Sequence, residues 1–356
     1  MRILFDSYST VKQNLAGGMS AKIELLYQGL QRSGISIKFF NKWEDKLINY
    51  DVLHIFRLSE ENYALALIAK SNGIPVVIST ILQVDKKWVI TGNLWLTKLL
   101  PIHTRYSNFK ELLDLADAVI AESKKEAEFI NKVYKVNKKK IFVIPDIPLV
   151  NAKSGDPTLI QKRISTKKDF ILQVARFDQN KNQLNVIRAM KGSDIPVVFI
   201  GGEDHSDKTY YEQCKEEATK NMHFLGWLDA SDPLLSSAFH SAKVVVMPSL
   251  LETMGTVAIE GGMAGANLVI AKDLPILDTG IGQYCRQVNP RDIQSIRHTL
   301  IEAYEEPLNR KEIQEQFEKH FSPEAVMQMH IDIYTNLLSS SNLSEAQTKE
   351  IVDVKS

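Results

Sequence analysis

The chain alternates short β-rich apolar runs with stretches of helical pattern, and this alternation limits its fold more than any other feature. Six runs fall within residues 1–150: MRILF, ISIKFF, DVLHIF, IPVVIS, DAVIAES and KIFVIP. A helical pattern over residues 20–33 separates the first two. Strands that alternate with helices form parallel sheets with helices on both faces. The sequence therefore predicts an α/β fold with a doubly wound parallel sheet.

A second series of the same kind begins near residue 170. Its runs are DFILQVA, IPVVFIG, MHFLGW, AKVVVMPS and ANLVIA. Residues 151–169 lack apolar periodicity, so we expect a linker there. A chain of 356 residues is long enough for two domains of ordinary size. We therefore predict two Rossmann-like domains that face each other across a cleft, over residues 1–150 and 170–321.

The end of the chain predicts one more helix. Val326, Met329, Ile333 and Leu337 are spaced like one face of a helix, which we place at residues 322–338. Residues 339–356 are polar, so we expect a frayed tail.

Charge and cysteine content narrow the classes of function. The formal net charge is zero, which does not favour nucleic acid as a partner. Cys214 and Cys285 are far apart, so neither a disulfide framework nor a zinc pattern is indicated. No apolar run approaches the roughly 18 residues that span a bilayer, and MRILFDSYS reads as a strand and not as a signal peptide. We expect a cytoplasmic protein.

The first half is mildly basic. Residues 1–150 contain 21 Lys and Arg against 15 Asp and Glu. This excess of basic residues is typical of a domain that lies near anionic lipid or near a phosphate-bearing acceptor. It is also typical of scattered surface charge with no partner. The lysine-rich stretch KKEAEFINKVYKVNKKK, which includes Lys138, Lys139 and Lys140, is likewise either an amphipathic helix at a membrane or a solvated helix.

One stretch, PSLLETMGTVAIEGG, carries the strongest chemical pattern. A strand ends at Pro248, a loop follows, and a helix begins near Thr256. The backbone N–H groups and the dipole of a helix start bind anions, so a diphosphate suits this place. Glu252 lies on the loop near the expected sugar, and Glu260 lies one turn into the helix, where it can accept from ribose hydroxyls. By themselves these two acids are more typical of an ordinary loop acid and a first-turn acid.

A pair of cations follows the first strand of the second series. In FILQVARFDQNKNQL the strand ends before Arg176, and Lys181 lies where the next helix begins. A lysine at a helix start opposes the helix dipole, which makes sense if an anion binds between them. Arg176 offers a planar fork and Lys181 a point charge to diphosphate oxygens. The competing interpretation is two exposed surface cations.

Together these motifs resemble the retaining glycosyltransferases of family four, which have the GT-B fold. The match lies at Pro248, Ser249, Glu252, Gly255, Glu260, Ala264 and Gly265, with Arg176 and Lys181 similar to the family's Arg, four residues, Lys pair. The resemblance implies Arg176, Lys181 and Glu252 as catalytic residues. It implies that Thr253, Met254, Gly255, Thr256 and Glu260 bind the donor.

Weaker matches extend the resemblance over nearly the whole chain. Gly226 and Trp227 are similar to the family's base-binding loop, although a buried core Trp would fit equally well. Gly17 and Gly18 resemble the glycine loop that approaches the donor phosphates, and otherwise form a plain turn. The final helix is similar to one that packs back on the first domain.

The chain also departs from the family pattern. Ile81 stands where the family usually has a histidine that contacts the transferred sugar, and Asp146-Ile147 stands in place of the usual Asn-Gly. His54 and His103 are candidates for acceptor or sugar contact, although a lone histidine at a strand end is more often structural.

Other classes of protein fit less well. No GxGxxG follows the first strand, as an NAD-dependent oxidoreductase would require, and the P-loop motif GxxxxGK[ST] is absent. A catalytically silent GT-B protein that assists another transferase is the alternative, because Ile81 replaces a ligand-contacting residue. Both glutamates and both cations are nevertheless present.

The resemblance implies a retaining, metal-independent hexosyltransferase with no cofactor. The donor would be a nucleotide diphosphate sugar, GDP-mannose or a UDP- or dTDP-sugar. The acceptor would be a growing glycan or lipid-linked glycan in lipopolysaccharide or capsule synthesis, reached by peripheral contact at the inner face of the cell membrane.

Overall fold

The chain folds into two compact units. The computed structural model describes residues 1–13, 18–82, 87–100, 102–204 and 208–353. Unit 1 comprises Met1–Ile147 and Pro323–Ser356, and unit 2 comprises Pro148–Ser322. The division after Ile147 lies three residues before the first domain's expected end at residue 150.

Unit 1 is built on a six-stranded parallel sheet in the order β2-β1-β3-β4-β5-β6. Each of the six apolar runs expected in residues 1–150 coincides with one of these strands, to within one residue at the end of β1. The elements in chain order are β1 (Arg2–Asp6), α1 (Gly18–Arg32), β2 (Ser36–Phe39), β3 (Val52–Phe56), α2 (Tyr63–Ser71), β4 (Val76–Ser79), α3 (Lys87–Leu99), α4 (Arg105–Leu115), β5 (Ala118–Ala121), α5 (Lys124–Tyr134) and β6 (Ile141–Val143).

Both faces of this sheet are covered, which explains why its strands are continuously apolar. On β3, Leu53 and Ile55 enter one hydrophobic cluster, whereas Val52 and Phe56 enter another. Successive side chains of a strand point to opposite faces, so the two clusters lie on the two sides of the sheet.

Unit 2 contains the second sheet, with the order β12-β11-β10-β7-β8-β9, all parallel. Its elements are α6 (Pro157–Ile164), β7 (Ile171–Val174), α7 (Gln183–Met190), β8 (Val197–Ile200), α8 (Lys208–Glu217), β9 (Met222–Phe224), α9 (Pro233–Ser241), β10 (Val244–Met247), α10 (Thr256–Met263), β11 (Asn267–Ala271), β12 (Cys285–Val288), α11 (Ile293–Glu305) and α12 (Arg310–Phe321). The two sheets confirm the predicted α/β fold class.

The last helix, α13 (Pro323–Asp353), belongs to unit 1. It packs against α1, and Val326, Ile333 and Tyr334 lie in the cluster that contains the apolar face of α1. The helix continues into the segment expected to be a frayed tail and ends at Asp353.

The segment 151–169, expected to be a linker, contains helix α6. Asp156 caps its first turn by accepting a hydrogen bond from the backbone N–H of Thr158, and Pro157 opens the helix. Ile160 and Ile164 are buried in a core of unit 2. They lie four residues apart, and one apolar pair in a short helix gives too little periodicity to be recognised in sequence.

Two glycines of α10 serve packing. A Cβ atom at Gly262 would lie 2.3 Å from Cδ1 of Phe317 on α12, and one at Gly261 would lie 2.9 Å from Cβ of Val245. The ring of Phe317 is fully buried and has no room to retreat. The small residues after Glu260 therefore let α10 pack closely between the sheet and α12.

No helix in the described ranges is long and apolar enough to cross a membrane.

We predict that Gly262→Ala destabilises unit 2. The added methyl group would press on the buried Phe317 ring, and overpacking of this kind costs about 1–3 kcal/mol. Urea unfolding followed by circular dichroism measures the change. The matched control is Gly92→Ala on α3, where an added Cβ meets nothing within 4 Å, so its unfolding free energy should not fall. Equal unfolding free energies of the Gly262→Ala and Gly92→Ala variants would contradict the packing argument.

Candidate functional site

Unit 2 brings the predicted donor residues to the point where its strand order reverses. Strands β7 and β10 are neighbours, and later strands extend the sheet from them in opposite directions. Open α/β sheets bind ligands at the carboxyl ends of the strands that flank such a switch point. Arg176 and Lys181 lie in the loop after β7, and Glu252 lies in the loop after β10.

The loop after β7 is organised by Asp178. Its Oδ1 accepts a hydrogen bond from the backbone N–H of Lys181 at 2.8 Å, and its Oδ2 lies 3.1 Å from Nη2 of Arg176. Nε of Arg176 also lies 3.2 Å from Oδ2 of Asp204, in the loop after β8. Arg176 is thus held between two carboxylates while 44% of its side chain remains exposed.

Two asparagines join the loop after β7 to the loop after β10. The backbone N–H of Leu250 donates to the carbonyl of Asn180 at 2.8 Å, and the Asn180 side chain donates to the carbonyl of Leu251 at 2.9 Å. Asn182 adopts a left-handed conformation, with φ of 63°, and its amide donates to the carbonyls of Pro248 and Pro290. These bonds fix the two loops against each other.

The consequence is a direct contact between the two sequence motifs. Nζ of Lys181 lies 2.6 Å from Oε1 of Glu252, although the residues are 71 positions apart. The carboxylate is largely buried, with 13% of its side chain exposed, and the lysine is 25% exposed. A lysine has three N–H donors, so this bond orients the ammonium group and leaves donors for a ligand.

Helix α10 starts beside this ion pair. Gly255 precedes it with φ of 101°, a left-handed conformation that favours glycine, and a Cβ there would lie 2.6 Å from Cε of Met247. Thr256 is the first helical residue and Thr253 is half-buried on the loop. Met254 is fully buried in the core, so its side chain is not available to a donor, and only its backbone can serve the predicted role.

The structure gives Glu260 a structural task. Its Oε1 accepts hydrogen bonds from the backbone N–H groups of Leu149 and Val150, at 2.9 and 3.2 Å. The residue is buried, with 4% exposure. This carboxylate therefore ties the beginning of unit 2 to α10, which the sequence did not indicate.

The loop after β9 also reaches this edge of the sheet. Gly226 has φ of 75°, and its carbonyl accepts from the backbone N–H of Gly201 at 2.8 Å. Trp227 is 63% exposed, so it is not the buried core tryptophan that the sequence left open. An exposed indole at the carboxyl end of a strand is available for stacking.

In unit 1 the structure gives His54 an internal role. The ring is fully buried, its Nδ1 lies 2.7 Å from the Tyr334 hydroxyl, and its Nε2 lies 2.9 Å from Oγ of Ser79. Both ring nitrogens are therefore engaged, Nδ1 with α13 and Nε2 with the neighbouring strand β4. The suggestion that His54 contacts an acceptor is corrected accordingly, because the ring has no exposed edge.

The other predicted residues of unit 1 are dispersed. Gly17 lies outside the described residues, and Gly18 is the first residue of α1. His103 follows α3, has 80% of its side chain exposed, and lies 4.0 Å from Glu111. Neither histidine lies where the structure places Ile81.

The two departures from the family pattern, Ile81 and Asp146, line one cavity of unit 1. This cavity of about 60 Å³ lies at the carboxyl ends of β4, β5 and β6. Lys22 on α1 pairs with Asp146, and its Nζ lies 3.9 Å from Oε1 of Glu122. Ile81 has φ of 50°, which is strained for a β-branched residue.

Glu122 is a buried acid of this cavity with a shifted pKa. Burial raises the pKa of its carboxyl well above the usual value, and the charge of Asp146 raises it further. Its Oε2 is buried without a hydrogen-bond partner. The cavity thus offers an ammonium, a carboxylate and a carboxyl group that favours its protonated form. The sequence reasoning missed Lys22 and Glu122, although the acid at the end of the run DAVIAES was a signal.

Comparisons with known proteins find a family match within unit 2. Residues 157–320 match the family model described as glycosyl transferases group 1. Over this segment, unit 2 is similar to group 1 glycosyltransferases. The group 1 match contains every donor residue predicted in unit 2, and it supports glycosyl transfer as the general activity. No curated protein matches the chain.

Solved structures with this architecture cover almost the entire chain. HepE of Anabaena, in complex with UDP, has a TM-score of 0.72 at 15% identity, over 94% of this chain and 100% of that one. Sucrose-phosphate synthase from Thermosynechococcus elongatus has a TM-score of 0.73 at 16% identity, over 96% and 100%. Trehalose-6-phosphate synthase OtsA has a TM-score of 0.63 at 14% identity, over 100% and 99%. At these identities the likeness establishes the fold, and it confirms the GT-B class.

The site next to α10 combines groups that suit a diphosphate. Two cations and a helix start face the same edge, and each cation already has a carboxylate partner that a ligand phosphate can replace or share. Asp204, Asn180 and Asn182 were not predicted, because their partners come from different loops, and Asp178, which bonds within its own loop, was not predicted either. Among the described residues, no group of three or more His, Cys, Asp and Glu side chains could hold a metal ion.

We predict that the two buried histidines of unit 1 make a contribution to its stability that acid removes. Burial lowers the pKa of His330 to about 4 and that of His54 well below its usual 6.5. The unfolded chain binds these protons below pH 6.5 and the folded unit does not, so the histidine contribution falls as pH falls from 6.5. The buried carboxyls Glu122 and Glu126 act in the opposite direction, because burial raises their pKa, that of Glu126 to about 7. Each group contributes up to about 1.4 kcal/mol per pH unit.

Urea unfolding at several pH values between 4 and 6.5 measures the slope of the unfolding free energy against pH. His330→Gln should reduce it by roughly 1 kcal/mol per pH unit, which is the share of one histidine. The control, His103→Gln, removes an exposed histidine of the same unit and should leave the slope unchanged. A slope in His330→Gln equal to that of the unmodified protein would contradict the assignment.

Proposed function

We propose that the chain is a retaining glycosyltransferase that moves a hexose-type sugar from a nucleotide diphosphate sugar to a growing glycan or glycolipid. The observation that carries the proposal is the ion pair between Lys181 and Glu252 beside the start of α10. It brings together a cation suited to the diphosphate and an acid suited to the sugar. The group 1 match over residues 157–320 supports the same activity.

In this proposal the diphosphate lies between Arg176, Lys181 and the start of α10. These groups are fixed before the reaction, so they stabilise the charge that grows on the departing diphosphate without further reorganisation. Glu252 accepts hydrogen bonds from hydroxyls of the transferred sugar while it orients Lys181. Trp227 lies on the base side of the nucleotide, and Glu260 lies on the ribose side. No metal or other cofactor takes part in this mechanism.

Retention follows if the acceptor attacks from the face that the phosphate leaves. A phosphate oxygen then takes the proton of the acceptor hydroxyl, which explains why the site needs cations more than a side-chain base. The donor is a UDP-, dTDP- or GDP-sugar. UDP is favoured, because HepE is in complex with UDP in one structure and with UDP-glucose in another.

We place the acceptor on unit 1, at the edge that carries the cavity of Lys22, Glu122 and Asp146. Ammonium and protonated carboxyl groups donate to sugar hydroxyls, and a carboxylate accepts from them. A lipid-linked glycan of a bacterial surface polysaccharide, lipopolysaccharide or capsule, fits a cytoplasmic enzyme at the inner face of the membrane. A catalytically silent partner protein is the alternative, and donor hydrolysis distinguishes it from an enzyme.

We predict that Lys181→Ala weakens UDP binding by about tenfold or more, because a hydrogen bond to a charged group contributes about 1.5–3 kcal/mol. Calorimetry measures the affinity, and slow hydrolysis of UDP-glucose, with GDP-mannose and dTDP-glucose tested in parallel, measures turnover. Thermal unfolding should change little, since Lys181 lies partly exposed at the site.

The matched control is Lys220→Ala. Lys220 is an exposed lysine of unit 2 that precedes β9, so it lies at the opposite edge of the sheet. It should leave UDP binding and hydrolysis unchanged. Unchanged affinity in Lys181→Ala would count against the assigned site, whereas nucleotide binding without turnover of any donor would favour the silent alternative.

A further inference from the structure

Helix α3 of unit 1 turns its apolar side chains outward. Trp88 is 89% exposed, Trp95 is 63% exposed and Leu99 is 60% exposed. These residues are separated by seven and four positions, so they lie along one face of the helix. Among the side chains of α3 that the structure describes, only Ile90 is buried.

The exposed surface continues beyond the end of the helix. Leu100 and Ile102 are 49% and 41% exposed, and a groove of about 440 Å³ runs beside Trp95, with Lys110 and Lys135 among its lining residues. Single exposed apolar residues are ordinary, but a contiguous group of them marks a contact surface. This surface, consisting of Trp88, Trp95, Leu99, Leu100 and Ile102, is called the α3 face below.

The charges around the α3 face indicate what covers it. Residues 87–110 contain four basic residues and no acid. Lys135, which follows α5, lines the groove with Lys110 and Glu111, and Asp114 pairs with Lys110. Cations therefore outnumber acids around an apolar centre. A second copy of the chain would bring the same cations opposite each other in a two-fold contact.

We propose that the α3 face binds the surface of an anionic lipid bilayer. Tryptophan is suited to the boundary between hydrocarbon and water, because its ring is apolar and its N–H remains hydrated. A helix with such a face lies in the plane of the bilayer, and basic residues beside it are attracted to lipid phosphates. Lys87 and Arg105, both exposed, lie at the two ends of the segment.

This location differs from the lysine-rich stretch that the sequence suggested. On α5, Phe129, Ile130, Val133 and Tyr134 are buried in the core of unit 1. That helix therefore has no apolar face to insert. Lys138, Lys139 and Lys140 form a short helical turn after it and offer charge alone.

Membrane binding by the α3 face does not depend on the donor site, so it goes beyond the proposed function. Vesicle binding is measured without nucleotide, and nucleotide binding is measured without vesicles. If the protein fails to bind vesicles, the result for nucleotide binding still stands, and the reverse also holds.

The test is sedimentation of the full chain with vesicles of phosphatidylcholine that contain phosphatidylglycerol, compared with vesicles of phosphatidylcholine alone. We expect binding to the anionic vesicles that weakens as salt is added. Trp88→Ser combined with Trp95→Ser should lower the affinity by about tenfold or more, because the apolar contact is lost. Trp88→Ser alone should show part of the loss.

The matched control is Trp43→Ser. Trp43 is 86% exposed, belongs to unit 1 and has Nζ of Lys42 5.4 Å from its ring centre, so it has the same chemistry at another place. It should bind vesicles like the unmodified chain, as should the triple change of Lys138, Lys139 and Lys140 to Gln. Circular dichroism verifies that each variant is folded.

Three outcomes would overturn the proposal. The unmodified chain would fail to bind anionic vesicles, or the α3 variants would bind like the unmodified chain. In the third outcome, analytical ultracentrifugation would show that the unmodified chain is a dimer and that the α3 variants are monomers. A second copy of the chain would then cover the α3 face.

Discussion

The site depends on the hydrogen bonds that join two loops at the reversal point of the unit 2 sheet. Asn180 and Asn182 hold the loop after β7 against the loop after β10 through one backbone hydrogen bond and two bonds from their side-chain amides to backbone carbonyls. This brings Lys181 and Glu252 within 2.6 Å of each other. The parallel sheet supplies the rest, because it delivers both loops to one edge and places the start of α10 beside them. A fixed cation next to a helix start needs little rearrangement to receive an anion.

Unit 1 is built on the same principle but carries a different chemistry. The carboxyl ends of its strands surround a small cavity in which Lys22, Asp146 and Glu122 meet. Ile81 and Asp146, the positions at which the chain departs from the family pattern, both line it. We propose that these two positions bear on the ligand that unit 1 recognises.

The sequence was sufficient for the fold class and for the order of the motifs, because strands buried on both faces leave continuous apolar runs. It did not reveal β12, whose Cys285–Val288 run includes Arg286 and Gln287, or α6, whose core contact rests on Ile160 and Ile164. The carboxylate partners of Arg176 also stayed hidden, since Asp178 and Asp204 come from different loops. The sequence did not predict that the apolar face of α3 is exposed, for another reason. Apolar residues at helical spacing predict that a helix has an apolar side, and only the structure says whether that side is covered.

The central claim is that Lys181, Arg176 and the start of α10 form one diphosphate site. A crystal structure of the protein with UDP tests it most directly. The account predicts electron density for the two phosphates within hydrogen-bond distance of Nζ of Lys181 and of the backbone at Gly255 and Thr256, with the uracil on the side of Trp227. Density for UDP elsewhere, with Lys181 and Glu252 untouched, would contradict the claim.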